Sequence, residues 1–215
     1  AQYLSQLVLG RYLTVAVYGI FNAVNSLGLL VGGFIAAIPY IVSKYMIFYQ
    51  DNHEFRNNLL NKIIVFVYVS NFILLAILFL FVNEIGLFLK IESLTPIYIF
   101  IVLIFLHVIY KLYDSILQGL RMYVTHSVQG AILVFVRLLF IVLLVVYLSH
   151  SYNSALLSHV FATVIVLGLI YHISRKTIRV TNKNINIPRT IYKDMFRYSI
   201  PVMLTWGILI LITNM

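Results

Sequence analysis

The sequence lacks cysteine and is poor in charge, and each absence limits what the protein can be. Without cysteine the chain has neither a disulfide framework nor a thiolate metal site. Only 10% of its residues are charged and 62% are hydrophobic, whereas a soluble domain has about a quarter of its residues charged and roughly half apolar. The composition therefore predicts a membrane protein.

Acidic residues are especially scarce, and their scarcity argues against several enzyme chemistries. There are 6 Asp+Glu against 15 Lys+Arg, and only Asp114 lies clearly within an apolar run. This leaves no paired carboxylates for glycoside hydrolysis and no acidic cluster for a metal-bound sugar nucleotide. The phosphate-binding pattern G-x-x-x-x-G-K-[ST] is also missing. We therefore predict a protein that is not an enzyme, with no catalytic residues, no metal and no cofactor.

What the sequence has in abundance is long apolar runs, several of which reach the roughly 20 residues needed to cross a bilayer. They predict an all-α, polytopic transmembrane helix bundle that forms a single domain over residues 1–215. Because the last run stops short and the chain begins with Ala1, we expect a piece of a longer protein. The expected complete spans are about 17–48, 63–82, 96–120, 127–148 and 155–173, with partial spans at 1–9 and 199–215.

The cations are distributed unequally between alternate connections. Twelve of the fifteen belong to connections of one parity, whereas the other parity has only Arg11 and Lys90. The positive-inside rule places the larger set in the cytoplasm, including a basic loop at 174–198. Within it, residues 184–197 fit either a helix lying on the membrane surface or a solvated loop followed by a helix. The net charge of +9 is therefore mostly a matter of orientation, and we predict no nucleic-acid partner.

One helix is expected to present a polar stripe. His107, Lys111, Asp114 and Gln118 fall at i, i+4, i+7 and i+11, which places them on one helix face. Charged residues are costly in lipid, so this face is expected to line a polar cavity or the interior of the bundle. The alternative is a structural i, i+3 pair between Lys111 and Asp114 near the cytoplasmic end, with Lys111 reaching the headgroups.

Other polar residues are predicted inside the membrane. Arg137 is the deepest charge, about ten residues into its span and so about 15 Å from the end of that helix. Asn22 and Asn25 could hydrogen-bond sugar hydroxyls in a cavity or tie helices together. Gly28 and Gly32, by contrast, are expected to serve helix packing, because small residues let helices approach closely.

Several short motifs resemble those of one transporter family. Residues 9–14 (LGRYLT) and 18–21 (YGIF) are similar to the junction between the first two helices of Wzx-type polysaccharide flippases. These flippases belong to the multidrug/oligosaccharidyl-lipid/polysaccharide exporter superfamily. Three later stretches resemble further motifs of the family, in the same order: IPYIVSKY at 38–45, ILQGLR at 116–121 and RYSIP at 197–201.

The resemblance implies a protein of about twice this length, in which two lobes surround a central cavity. The present chain would be most of the N-terminal lobe, and the missing C-terminal lobe would be its partner. Such proteins carry a lipid-linked oligosaccharide on a polyprenyl diphosphate to the outer leaflet of the cytoplasmic membrane of a bacterium or archaeon, for cell-surface polysaccharide biosynthesis. Membrane lipid and other polysaccharide-assembly proteins are further expected partners.

Position and charge indicate which residues would contact that substrate. Arg137 and Lys111 are predicted to face the diphosphate as lumen cations, since charge-assisted hydrogen bonds to phosphate are strong in a low-dielectric cavity. Arg11 is expected near the outer rim and Lys44 near the inner mouth. Asp114 and His107 are predicted to take part in ion coupling. The full substrate-binding prediction comprises Arg137, Lys111, Arg11, Lys44, Asn22 and Asn25.

Three other functions are weighed against this one. A drug/cation antiporter of the same superfamily would rely on buried acids, whereas this chain has one buried acid and two or three buried cations. A membrane-embedded glycan polymerase usually needs a large extracytoplasmic loop, and the longest outer connection, 83–95, is short. A membrane scaffold would have no use for Arg137 or the polar stripe.

Overall fold

The computed structural model describes residues 2–35, 37–91, 93–177 and 187–213, and the regular structure of these residues is entirely helical. The fold is an all-α bundle. The helices are α1 (Gln2–Tyr12), α2 (Val15–Ile35), α3 (Ala37–Phe48), α4 (His53–Leu80), α5 (Val82–Phe88), α6 (Thr95–Gly119), α7 (Tyr123–Ile141), its π-helical continuation (Val142–Leu148), α8 (Tyr152–Thr177) and α9 (Arg189–Thr213).

Five segments of the described chain are long and apolar enough to cross a bilayer. The first, Val15–Phe48, comprises α2 and α3. The next is α4, which begins ten residues before the apolar run expected at 63, because the side chain of Asn52 accepts a hydrogen bond from the Phe55 backbone N–H at 3.0 Å and caps the helix. The other three are Thr95–Gly119, Tyr123–Leu148 and Tyr152–Ser174.

Helix α6 lies at the centre of the bundle. It packs against α2, α3, α4, α7 and α8, and half of its apolar stretch is buried, the largest share among the five spans. Pro96 lies in its first turn, where the missing backbone N–H is harmless. Leu112, Ile116 and Leu117 are fully buried. Polar side chains on this helix therefore face neighbouring helices or internal space.

A tight turn connects α6 to α7. The Met122 backbone N–H donates to the Leu117 carbonyl at 2.9 Å, and Arg121 has φ 59, which together form a Schellman-type helix end with arginine where glycine is usual. This turn sends α7 back along α6. It brings the first turns of α7 beside the last turns of α6.

The segment expected as a cytoplasmic loop at 174–198 is partly helical. Helix α8 continues to Thr177 and α9 begins at Arg189, while residues 178–186 lie outside the described residues. The start of α9 packs on the core through Ile191 and Met195, and this burial stabilises the helix there. The described part of 184–197 is therefore the start of a helix that continues into the last apolar run.

Candidate functional site: two adjoining polar cavities

Two cavities adjoin between the helices of the bundle. The first, which we call the arginine cavity, has a volume of about 240 Å³ and is lined by Arg137. The second, the aspartate cavity, has a volume of about 500 Å³ and is lined by Asp114. The residues that line both are Gly28, Leu29, Gly32, Ile35 and His107. The two cavities therefore lie side by side, with His107 in the wall that they share.

The arginine cavity is a positively charged site without an acidic counterpart. Arg137 of α7, His107 of α6 and His159 of α8 line it, together with Asn25 of α2. The Nε of Arg137 is buried and has no hydrogen-bond partner among the described residues. No acidic residue belongs to the described lining. An anion that entered would meet a cationic side chain that no acidic residue of the described lining neutralises.

The aspartate cavity contains the polar stripe of α6. His107, Lys111, Asp114 and Gln118 all line it, as expected for residues on one helix face. Lys111 Nζ lies 3.8 Å from Asp114 Oδ2, and the Asp114 side chain is 3% exposed against 37% for Lys111. The stripe therefore offers hydrogen-bonding groups to a ligand while its carboxylate is largely buried.

Asp114 also holds two helices together. His126 Nδ1 and Gln129 Nε2, both on α7, each lie 2.5 Å from Asp114 Oδ1, and the Gln129 amide donates to the carboxylate. The predicted Lys111–Asp114 pair is thus one part of a network that joins α6 to α7. We call Asp114, Lys111, His126 and Gln129 the aspartate network.

Five of the predicted site residues line the two cavities, whereas three do not. Arg11 is exposed at the end of α1, and Asn22 lies almost one turn before Asn25 on α2, outside the described lining. Lys44 is exposed and lines a separate cleft beside the start of α9. Its Nζ lies 3.7 Å from the centroid of the Tyr198 ring, so a cation–π contact holds it there. The structure therefore does not bring Arg11, Lys44 or Asn22 together with Arg137.

The two glycines of α2 differ in their surroundings. A Cβ on Gly28 would lie 3.0 Å from Cε2 of Phe100, which is close helix packing as predicted. A Cβ on Gly32 would have nothing within 4 Å. The packing prediction is wrong for Gly32, because this residue faces the open space that both cavities share.

Four lining or network residues were missed by the sequence analysis. His126 and Gln129 showed only an i, i+3 spacing early in α7, and one sequence does not reveal their partner on α6. His159 lies four residues into the span expected at 155–173, and an ionisable residue within a span is itself a signal of function. Trp206, the only tryptophan in the chain, lines the aspartate cavity from α9.

The arrangement suits recognition of an anion attached to a polar group. The described residues contain no group of three or more His, Asp or Glu side chains that could hold a metal ion. Arg137 is half-buried beside the arginine cavity, where a charge interacts more strongly than it does in bulk water. Binding by hydrogen bonds and charge is therefore the chemistry that these side chains support.

Solved structures of transporters resemble this fold. A MATE transporter in complex with MaD3S matches with a TM-score of 0.83 at 13% identity, over 95% of this chain and 50% of that one. A MOP superfamily transporter from Pyrococcus furiosus, for which reverse polarity of the binding pocket suggests a different function, matches with a TM-score of 0.80 at 13% identity, over 95% and 49%. An inward-facing multidrug resistance MATE family transporter matches with a TM-score of 0.76 at 14% identity, over 98% and 51%.

No protein-family model and no curated protein sequence matches the chain. The chain spans about half the length of the similar transporters. The protein therefore has the fold of one half of a MATE/MOP transporter.

Proposed function

We propose that the protein is one lobe of a transporter that moves a polyprenyl-diphosphate-linked oligosaccharide across the cytoplasmic membrane, for cell-surface polysaccharide biosynthesis. The observation that carries this proposal is Arg137. Arg137 lines a cavity without any acidic residue in the described lining, and its buried Nε has no hydrogen-bond partner among the described residues. A diphosphate is a ligand of complementary charge.

The energetic cost of Arg137 supports an anionic ligand. An arginine at the centre of a membrane costs at least about 2.5–3.5 kcal/mol unless something compensates its charge. Two oxygens of a phosphate group can accept two parallel hydrogen bonds from the guanidinium, a geometry that lysine cannot reproduce. Lys111 adds a second cation in the adjoining aspartate cavity. The two cavities together thus favour a negatively charged head group.

Alternating access is the transport mechanism that we propose. In transporters built from repeated lobes, the lobes rock against each other around a site at their interface. The present chain would supply one wall of that site, and the second lobe the other. In this scheme Asp114 takes part in ion coupling, since protonation of its carboxylate would weaken the contacts with Lys111, His126 and Gln129, and His107 lies between the two cavities.

The main alternative is a drug/cation antiporter, which needs an acidic group that is free to bind a cation. Asp114 is engaged by three side chains, and no acidic residue lines the arginine cavity in the described part of the chain. The reverse pocket polarity named for the P. furiosus transporter supports the idea that this fold accommodates substrates of different charge. We therefore favour the anionic substrate.

The test replaces Arg137 in the full-length protein, in cells that depend on it for surface glycan. We expect Arg137→Ala to reduce export by roughly tenfold or more, because the charge-assisted bonds to the diphosphate are lost. Arg137→Lys should restore part of the export, since it keeps the charge but not the planar fork. Surface glycan is measured by lectin binding, and the amount of protein in the membrane by immunoblot.

The matched control is Arg121→Ala, which removes an exposed cation from the α6–α7 turn. It should export like the wild type. Wild-type export by Arg137→Ala at equal membrane abundance would remove Arg137 from the mechanism. Resistance to cationic drugs that disappears in Arg137→Ala, with glycan export intact, would favour the antiporter instead.

A further inference from the structure

We infer that Trp206 and Tyr40 form a sugar-binding platform in the aspartate cavity, for the carbohydrate unit nearest the diphosphate. This inference rests on the proposed function and specifies which cavity receives which part of the substrate. Trp206 comes from α9 and Tyr40 from α3, two helices that pack together. Both side chains line the same cavity as the polar stripe of α6.

The two aromatic side chains are accessible to a ligand. Tyr40 is 45% exposed, and Trp206 is half-buried. Large aromatic side chains that meet charged groups inside a membrane protein are not explained by lipid contact, because Lys111 and Asp114 line the same space. An aromatic surface beside hydrogen-bonding groups is instead complementary to a ligand that is apolar on one face and polar at its edges.

A sugar ring has this dual character. Its faces carry C–H groups, which are attracted to the negatively polarised face of an aromatic ring. Its hydroxyl groups must find hydrogen-bond partners when they leave water. Gln118 can both donate and accept, and Lys111 can donate. The volume of about 500 Å³ falls within the range of about 300–1,000 Å³ that is usual for small-molecule sites.

The neighbouring arginine cavity is suited to the other part of the substrate. It is smaller, at about 240 Å³, and its described lining contains Arg137, His107 and His159, with Phe100 but no tryptophan or tyrosine. Gly32 leaves open space where the two cavities meet. One ligand can therefore place its diphosphate against Arg137 and its first sugar against Trp206.

The experiment compares two radiolabelled carriers, undecaprenyl diphosphate and undecaprenyl-diphospho-N-acetylglucosamine. Both are bound at equilibrium to the full-length protein in lipid nanodiscs. We expect the sugar-bearing carrier to bind about three- to tenfold more tightly than the bare one, the size of an aromatic contact beyond simple area burial. Trp206→Ala should reduce the ratio of the two affinities to one and leave the affinity for the bare carrier unchanged. The unchanged affinity also shows that the variant is folded.

Further variants separate stacking from other effects. Trp206→Phe keeps an aromatic face and should retain most of the ratio, whereas Tyr40→Ala should reduce it. Tyr147→Ala removes an aromatic side chain that is 76% exposed and lies outside both cavities, and should change nothing. Arg137→Ala should weaken binding of both carriers equally and so preserve the ratio.

The outcomes distinguish this inference from the proposed function. A ratio of one in the wild type, or a ratio that survives Trp206→Ala, overturns the platform. If Arg137→Ala still weakens both carriers in that case, the proposed function stands. If the wild-type protein binds neither carrier, or if Arg137→Ala alters neither affinity, the proposed function itself fails.

Discussion

Replacing Asp114 with alanine should destabilise the protein more than any other single change in the polar stripe. The carboxylate is the common partner of the aspartate network, and Asp114 is 2% exposed. Its loss leaves Gln129 Nε2 and His126 Nδ1 without the oxygen that lies 2.5 Å from each. Leaving the buried Gln129 amide without its acceptor costs about 1–3 kcal/mol, whereas the side chains of Lys111 and His126 are 37% and 34% exposed and remain solvated.

The size of this effect can be stated as a shift in melting temperature. For a full-length protein of about twice this length, about 1 kcal/mol corresponds to roughly 1–2 °C, so we expect Asp114→Ala to lower Tm by roughly 1–6 °C. Asp114→Asn keeps one oxygen that can accept from Gln129 but replaces the other by an NH2 donor, and it should cost about half as much. Thermal unfolding of the detergent-purified full-length protein provides the measurement.

A double-mutant cycle with Gln129→Ala tests the contact itself. We expect a coupling energy of about 1–3 kcal/mol between the two positions, because they are in direct contact. Asp51→Ala serves as the control, since this acid is exposed in the turn before α4. A Tm for Asp114→Ala within the error of the wild-type value, or additive effects of the two substitutions, would refute the role of Asp114 as the joint between α6 and α7.

Three further predictions use glycines. Gly32→Leu fills the open space beside both cavities and should block glycan export at normal membrane abundance. The control Gly19→Leu, on an exposed part of the same helix, should leave export intact. Normal export by Gly32→Leu would show that the substrate does not occupy this space. Gly119→Ala places a Cβ 2.7 Å from the Cβ of Met46, and such overpacking should cost about 1–3 kcal/mol. Gly130→Ala meets no atom within 4 Å and should instead raise stability by about 0.5–1 kcal/mol, as thermal unfolding would show.

The helical nature of the protein and the polar face of α6 follow from local pattern. Apolar runs report burial in lipid or core directly, and the i, i+4, i+7, i+11 spacing places His107, Lys111, Asp114 and Gln118 on one face whatever the neighbours are. Each of these properties is determined within one helix, independently of its neighbours. A single sequence is therefore sufficient to predict them.

Contacts between helices are a different matter. The sequence does not reveal that Asp114 meets Gln129, since that contact depends on how the α6–α7 turn aligns the two helices. Gly28 and Gly32 look equivalent in the sequence, yet only Gly28 approaches a side chain of α6. Position and charge predict Lys44 near the inner mouth, but the sequence does not reveal that its Nζ lies over the Tyr198 ring of α9, in a cleft separate from the two cavities. Each difference arises from tertiary packing.

Because α6 lies at the centre of the bundle, the number of residues between its polar positions is restricted as well as their identity. Each residue of an α-helix turns by about 100°, so one residue inserted between His107 and Lys111 would swing the remainder of the stripe away from the aspartate cavity. The same insertion would carry Asp114 away from Gln129. Exchanges of apolar side chains on α6 can be absorbed by repacking, but a change of register cannot. Among related proteins, α6 should therefore vary in residue type between these positions and keep their spacing unchanged.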